Sequence, residues 1–152
     1  MIIAFIGHSE IIEQQSVCNA VCEELKSACE RADTVVCYVG AQGDFDEISL
    51  RACKRLKREK TGVEVVYVTP YITPTEQGRI REMQERKMID SSVYPPLEGV
   101  PPRFAISKRN EWMMKNADLV IAYVRRGYGG AYKAMSFARR HGKTVINLAE
   151  RI

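Results

Sequence analysis

Apolar and polar positions alternate along this chain in blocks, not residue by residue. IIAFI (2–6) is an apolar run rich in β-branched residues and closed by Gly7. QQSVCNAVCEELKSACERA (14–32) then repeats apolar residues at helical spacing. TVVCYVG (34–40) reads as a second strand, residues 46–60 as a second helix and VEVVYVT (63–69) as a third strand. DLVIAYV (118–124) is a fourth, a helix from about Ala131 to His141 follows it, and TVINL (144–148) is a fifth. These strands are apolar nearly throughout, which is the pattern of strands covered on both faces in a parallel sheet between helix layers. Regular strand–helix alternation predicts an α/β fold, a Rossmann-like doubly wound sheet of about five parallel strands with helices on both faces.

One connection breaks the rhythm. Residues 70–117 separate the third and fourth strands, a longer span than an ordinary crossover needs. TPTEQGRIREMQERKMID is expected to be helical after Pro74, and the proline-rich SSVYPPLEGVPPRF follows it. The excursion at about 70–104 is either a surface detour or a functional element such as a lid or a dimer contact. At 152 residues the chain is expected to form one domain, 1–152, with no second domain and no internal repeat.

Composition narrows the setting. Hydrophobic residues make up 45% and charged residues 28%, ordinary for a soluble globular protein. MIIAFIG lacks the basic flank and cleavage site of a signal peptide, and no apolar run approaches the ~18 residues of a membrane span. A cytoplasmic protein without membrane contact is expected. Of five cysteines, Cys18, Cys22 and Cys29 share one helix face, without the CxxC-type spacing and neighbouring histidines of a zinc site. They read as free thiols, and neither metal nor cofactor is implied. The net charge of +4 is concentrated in RACKRLKREK (51–60), where Leu50, Cys53 and Leu56 form an apolar line and Arg51, Lys54, Arg55 and Arg58 point elsewhere. That run is either a solvated helix face or a nucleic-acid patch, though no aromatic residue interleaves with its charges.

In an open parallel sheet, ligands bind beyond the carboxyl ends of the strands. The segments there are Gly7-His8-Ser9-Glu10, GAQGDFDE (40–47), Thr69-Pro70-Tyr71 and RRGYGG (125–130). The last is the best phosphate site. Gly127, Gly129 and Gly130 let a ligand approach the backbone, the next helix offers free N–H groups, and Arg125, Arg126 and Lys133 add positive charge. The order GYGGAY is neither a Walker loop nor GxGxxG. Candidate acids and bases are His8, Glu10, Asp44, Asp46 and Glu47, with Asp46 expected to cap the second helix. In AISKRNEWMMKNA, Arg109 falls within the apolar stripe formed with Ala105, Trp112, Met113 and Asn116. It either stacks on Trp112 and reaches solvent, or turns into the cleft toward a phosphate or a structural carboxylate.

Taken together, the apolar strand ending in Gly7-His8, GAQGDFDE, RNEWMMKNADLVIAYV and RGYGGAYKAM resemble the SLOG superfamily over about residues 1–148. That superfamily contains Rossmann-like domains of the cytokinin-activating LOG phosphoribohydrolases, the DNA-processing DprA proteins and small stand-alone bacterial members, which this chain resembles most. The resemblance implies a nucleotide or nucleotide-derived ligand at the strand ends, held by Gly7, His8, Gly40, Gly43, Asp46, Arg109, Asn110, Gly129 and Gly130. It also implies self-association as a homo-oligomer. The LOG enzymes carry a PGGxGTxxE motif whose Glu serves N-glycosidic cleavage. Here GYGGAYKAM has no Pro before the glycines, Ala131 in place of Thr and Ala134 near the position of Glu. Lys133 cannot replace a carboxylate, so Glu10 or Glu47 would have to supply it. The reading favoured is therefore binding of a nucleotide or nucleotide-derived ligand, as in a sensor. The second is a LOG-like nucleoside monophosphate phosphoribohydrolase or related N-glycosidic enzyme, and the third is nucleic-acid binding.

Overall fold

A computed structural model describes residues 1–152. The elements are β1 (Ile2–Gly7), α1 (Gln14–Cys29), β2 (Val35–Val39), α2 (Asp44–Glu59), β3 (Val63–Val68), α3 (Pro74–Glu85), β4 (Ser91–Val93), α4 (Ala105–Asn116), β5 (Leu119–Tyr123), α5 (Gly130–Arg140) and β6 (Thr144–Asn147). All strands pair in parallel in the order β4-β3-β2-β1-β5-β6.

The apolar-throughout strands have a direct consequence. Along β1, Ile3 and Phe5 enter one core with α1 and α2, while Ala4 and Ile6 enter a second core with α4 and α5. Leu119, Ile121 and Tyr123 of β5 alternate in the same way with Val120, Ala122 and Val124. These two central strands therefore bury side chains on both faces. No helix is long and apolar enough to cross a membrane. Cys29, Cys37 and Cys53 are buried, Cys18 and Cys22 are half-buried, and all five are free thiols.

The strand count differs from the sequence expectation of about five. The sixth, β4, lies inside the excursion and joins the free edge of β3 through the pairs Val66–Ser91, Tyr67–Ser92 and Val68–Val93. It was illegible in sequence because it is three residues long and reads SSV. The excursion is thus an integral edge of the sheet. Its helix α3 starts as expected at Pro74, with Thr73 Oγ1 accepting from Glu76 N at 3.2 Å.

A polar clasp docks α3. Glu76, 6% exposed, accepts from Tyr67 Oη at 2.7 Å and Thr69 Oγ1 at 2.6 Å, and Arg79 Nη1 lies 3.3 Å from its other oxygen. Burial pushes the Glu76 carboxyl up, but the hydroxyl bonds and Arg79 outweigh burial and leave it below the ordinary value. A lowered carboxyl contributes stability that is present above its unfolded pKa and is lost as pH falls through the folded one. Glu76→Ala is expected to cost about 1–3 kcal/mol at pH 7 through two stranded hydroxyls and a lost charge. The gap from wild type should shrink in urea titrations below the ordinary carboxyl value of 4.5. A gap that is unchanged at pH 3 would show that the carboxylate charge plays no part.

Candidate functional site

The strand order reverses between β1 and β5, because β2, β3 and β4 lie on one side of β1 while β5 and β6 lie on the other. Such a switch point opens a crevice at the carboxyl ends. A cavity of about 200 Å³ lies there. Gly7, His8, Gly40, Asp46, Arg109, Asn110 and Gly130, all singled out from the sequence, line it. Gly43, Gly127, Gly129 and Lys133 do not. Gly129 instead starts α5 with φ +94°, a left-handed conformation that favours glycine, and Gly43 precedes α2 with φ +130°. Arg126, expected from the sequence to add positive charge, lines the cavity, as do Ser9, Gln42 and Ile106, which were missing from the sequence-derived ligand surface. Ser9 and Gln42 carried a signal only through their place in loops that follow strands.

His8 extends β1 by donating its backbone N–H to Tyr123 O at 3.3 Å. Its Nε2 accepts from Arg125 N at 2.8 Å. The neutral ring must then carry its proton on Nδ1. Burial first, and Arg126 and Arg125 next, lower the His8 pKa, which favours that neutral ring. Arg126 Nη2 stands 3.5 Å from Nδ1. Both groups are then donors and do not satisfy each other, so they suit a shared acceptor such as a phosphate oxygen.

The two arginines of RRGYGG part company. The Arg125 side chain turns away, pairing with Glu13 at 2.6 Å and donating Nε to Tyr123 Oη at 2.6 Å. The expectation that Arg125 adds charge to the anion site is therefore corrected, since Glu13 neutralises it. Arg126 remains at the cavity, its guanidinium 5.1 Å from the Tyr128 ring centroid. The first turn of α5 has no capping side chain and no acidic residue, and its first residues, Gly130 and Ala131, line the cavity, so its uncapped end borders the same region.

Arg109 forms the floor. It is 2% exposed, donates Nη1 to Val68 O at 2.6 Å and donates Nε to Asn110 Oδ1 at 3.0 Å. It does not stack on Trp112, which stacks on Tyr38 at 5.4 Å. Asn110 Oδ1 is occupied by Arg109, which leaves the Asn110 amide Nδ2 as a donor at the cavity. Gly40 makes room for this arrangement: an added Cβ would stand 2.7 Å from Asp46 Oδ2 and 3.4 Å from Arg109 Nη1.

Asp46 is not the cap of α2. The helix begins at Asp44 after Gly43, and Asp46 Oδ2 accepts from Gln42 N at 2.8 Å. Burial raises its carboxyl pKa, against the pull of the Gln42 N–H, Arg109 and Arg79. Asp46 is the one carboxylate lining the cavity. Glu10 is exposed outside it, Glu47 faces a groove between α2 and α3, and Asp44 accepts from Ile11 N at 2.9 Å. Neither Glu10 nor Glu47 supplies the carboxylate that a LOG-like reaction would require. Ala134, near the position of the LOG Glu, is buried in the core beneath α5. No group of three or more His, Cys, Asp or Glu side chains is placed to hold a metal ion.

The basic run of α2 points elsewhere. Lys57 pairs with Asp90, and Lys60 Nζ donates to Cys29 O and Ala32 O at 2.6 and 3.1 Å. Part of that charge is therefore structural, and it gathers toward the end of α2 remote from the cavity.

No protein-family model and no curated protein matches the chain. Solved structures do. DNA processing protein A from Helicobacter pylori, described for its single-stranded DNA binding mode, matches with a TM-score of 0.62 and 15% identity over 95% of this chain and 63% of its own. DNA processing protein A (DprA) from Streptococcus pneumoniae matches with a TM-score of 0.63 and 18% identity over 94% of this chain and 48% of its own. The chain thus spans less than two thirds of each of these proteins. At such identities the likeness is one of architecture, and this chain has the Rossmann-like α/β fold found in those DprA structures.

Proposed function

We propose that the crevice between β1 and β5 binds single-stranded nucleic acid, and that the chain is a small member of the SLOG superfamily to which DprA belongs. One phosphate would sit between His8 Nδ1, Arg126 and the start of α5. The observation that carries this reading is the unshared pair of donors, His8 Nδ1–H and Arg126 Nη2, held 3.5 Å apart at an uncapped helix start. The cavity, about 200 Å³, is smaller than the ~300–1,000 Å³ typical of whole small-molecule sites, so it fits a phosphate and sugar better than a complete nucleotide. Bases would then lie outside it, toward exposed rings that neighbour its lining residues: Tyr128, 66% exposed and beside Arg126, Tyr132 in the first turn of α5, and Phe104 just before α4. Aromatic faces among arginines form a stacking platform for single strands. This combination is what the α2 run lacks, and it reverses the order of readings drawn from the sequence. The Helicobacter pylori relative's single-stranded DNA binding mode supports the same reading.

A free nucleotide is the second reading, favoured by the Asn110 amide and the Asp46 carboxylate, a donor and an acceptor suited to a base edge. Fluorescence anisotropy with labelled (dT)12 separates the two. Binding should weaken steeply with salt, and Arg126→Glu should weaken it at least tenfold. Stronger binding of AMP than of (dT)12 would favour the second reading. Absence of (dT)12 binding, or indifference to Arg126→Glu, would sink the first.

A further inference from the structure

A second groove, about 340 Å³, runs between α4 and α5 and shares Ile106, Asn110 and Gly130 with the cavity. The two therefore adjoin across these residues. On the α5 wall, Lys133, Phe137 and Arg140 follow at i, i+4 and i+7, hence on one helix face. Lys133 and Arg140 are exposed and carry no carboxylate partner. Their neighbours differ, since Lys108 pairs with Glu111 at 3.1 Å and Arg139 with Glu150 at 3.4 Å. The Lys108 pair also neutralises Glu111, the one carboxylate lining this groove. What remains is two free cations with an aromatic ring between them.

We propose that this groove is a second subsite for single-stranded nucleic acid, taking nucleotides adjacent to the one held in the cavity. The inference rests on the nucleic-acid reading of the crevice. Lys133 and Arg140 lie seven residues apart, about 10 Å along the helix at ~1.5 Å per residue. A stacked strand carries a phosphate about every 3.4 Å along its axis, so the pair reaches more than one phosphate. The Phe137 ring lies between them. His141 stacks on it at 4.0 Å and Lys115 Nζ stands 5.8 Å from its centroid, so the ring lines the groove as a packed apolar wall. The strand would leave the phosphate site at Gly130 and run along α5, where neither Glu111 nor any other lining acid repels it.

The test uses the full chain and compares labelled (dT)12 with thymidine monophosphate. Lys133→Gln/Arg140→Gln, both at exposed positions, should weaken (dT)12 binding about tenfold. It should reduce the salt slope by about 1.4, at ~0.7 per lost phosphate contact on a single strand. Thymidine monophosphate affinity should change less than twofold. The groove inference alone falls if wild type binds (dT)12 and Arg126→Glu weakens that binding, yet the double variant keeps both affinity and slope. Failure of wild type to bind (dT)12 would remove this inference and the crevice reading together.

Discussion

Arg109→Met is expected to lower stability by about 3–5 kcal/mol, the range for breaking a buried charged network from one side. Methionine fills similar volume, so the loss would report polar contacts more than a cavity. Val68 O would lose its 2.6 Å donor and Asn110 Oδ1 its 3.0 Å donor. The Asp46 carboxyl, already raised by burial, would lose a favourable positive neighbour and rise further. At roughly 2–4 °C per kcal/mol for a chain of this size, the melting temperature should drop by about 6–20 °C in calorimetry. Arg109→Lys keeps the charge but not the planar fork, and should fall between the two. A methionine variant that melts within 2 °C of wild type would show that the guanidinium does not hold the floor together.

Gly43→Ala should be nearly as damaging, for a reason of backbone shape. Gly43 has φ +130° and ψ −168°, a region that side chains all but exclude, which costs on the order of 1–3 kcal/mol. An added Cβ would also stand 2.6 Å from Ser9 Cα, and backbone cannot swing aside as a flexible side chain can. The loops after β1 and β2 are tied at this point, with Asp44 N donating to Ser9 O at 3.0 Å and Phe45 N to His8 O at 3.3 Å. A displaced Ser9 therefore moves His8 away from Arg126. The variant should lose stability in urea titration and also bind (dT)12 more weakly than its residual fold accounts for. Full binding by the folded fraction would show that His8 does not depend on this junction.

Much of the fold was legible because it rests on local and periodic signals. β1, β2, β3 and β5 were found from runs that stay apolar over consecutive residues, and α3 and α4 from Pro74 and the i, i+4 spacing of Ala105 and Arg109. β4 was not, because an edge strand of Ser91, Ser92 and Val93 has no apolar signature and is defined by its partner β3. The start of α2 was displaced from Asp46 to Asp44 because the glycine before it, and not a capping side chain, sets the turn.

The site divides in the same way. Its position at the strand ends, with Gly7, His8, Gly40 and Gly130 within it, followed from sequence order, since parallel strands deliver their carboxyl ends to one edge, whereas Arg109 on α4 was left open between Trp112 and the cleft. The sequence also determined that Arg109 could not stay bare within a buried stripe, leaving it either Trp112 with solvent or a polar partner in the cleft. Only the tertiary structure decided which partners, and it chose Val68 O and Asn110 over Trp112. It likewise decided between two adjacent arginines, giving Arg125 to Glu13 and leaving Arg126 beside His8. The physical reason is that an apolar period is written along one segment. A charge finds its partner across segments remote in sequence, and only folding sets the distances between them.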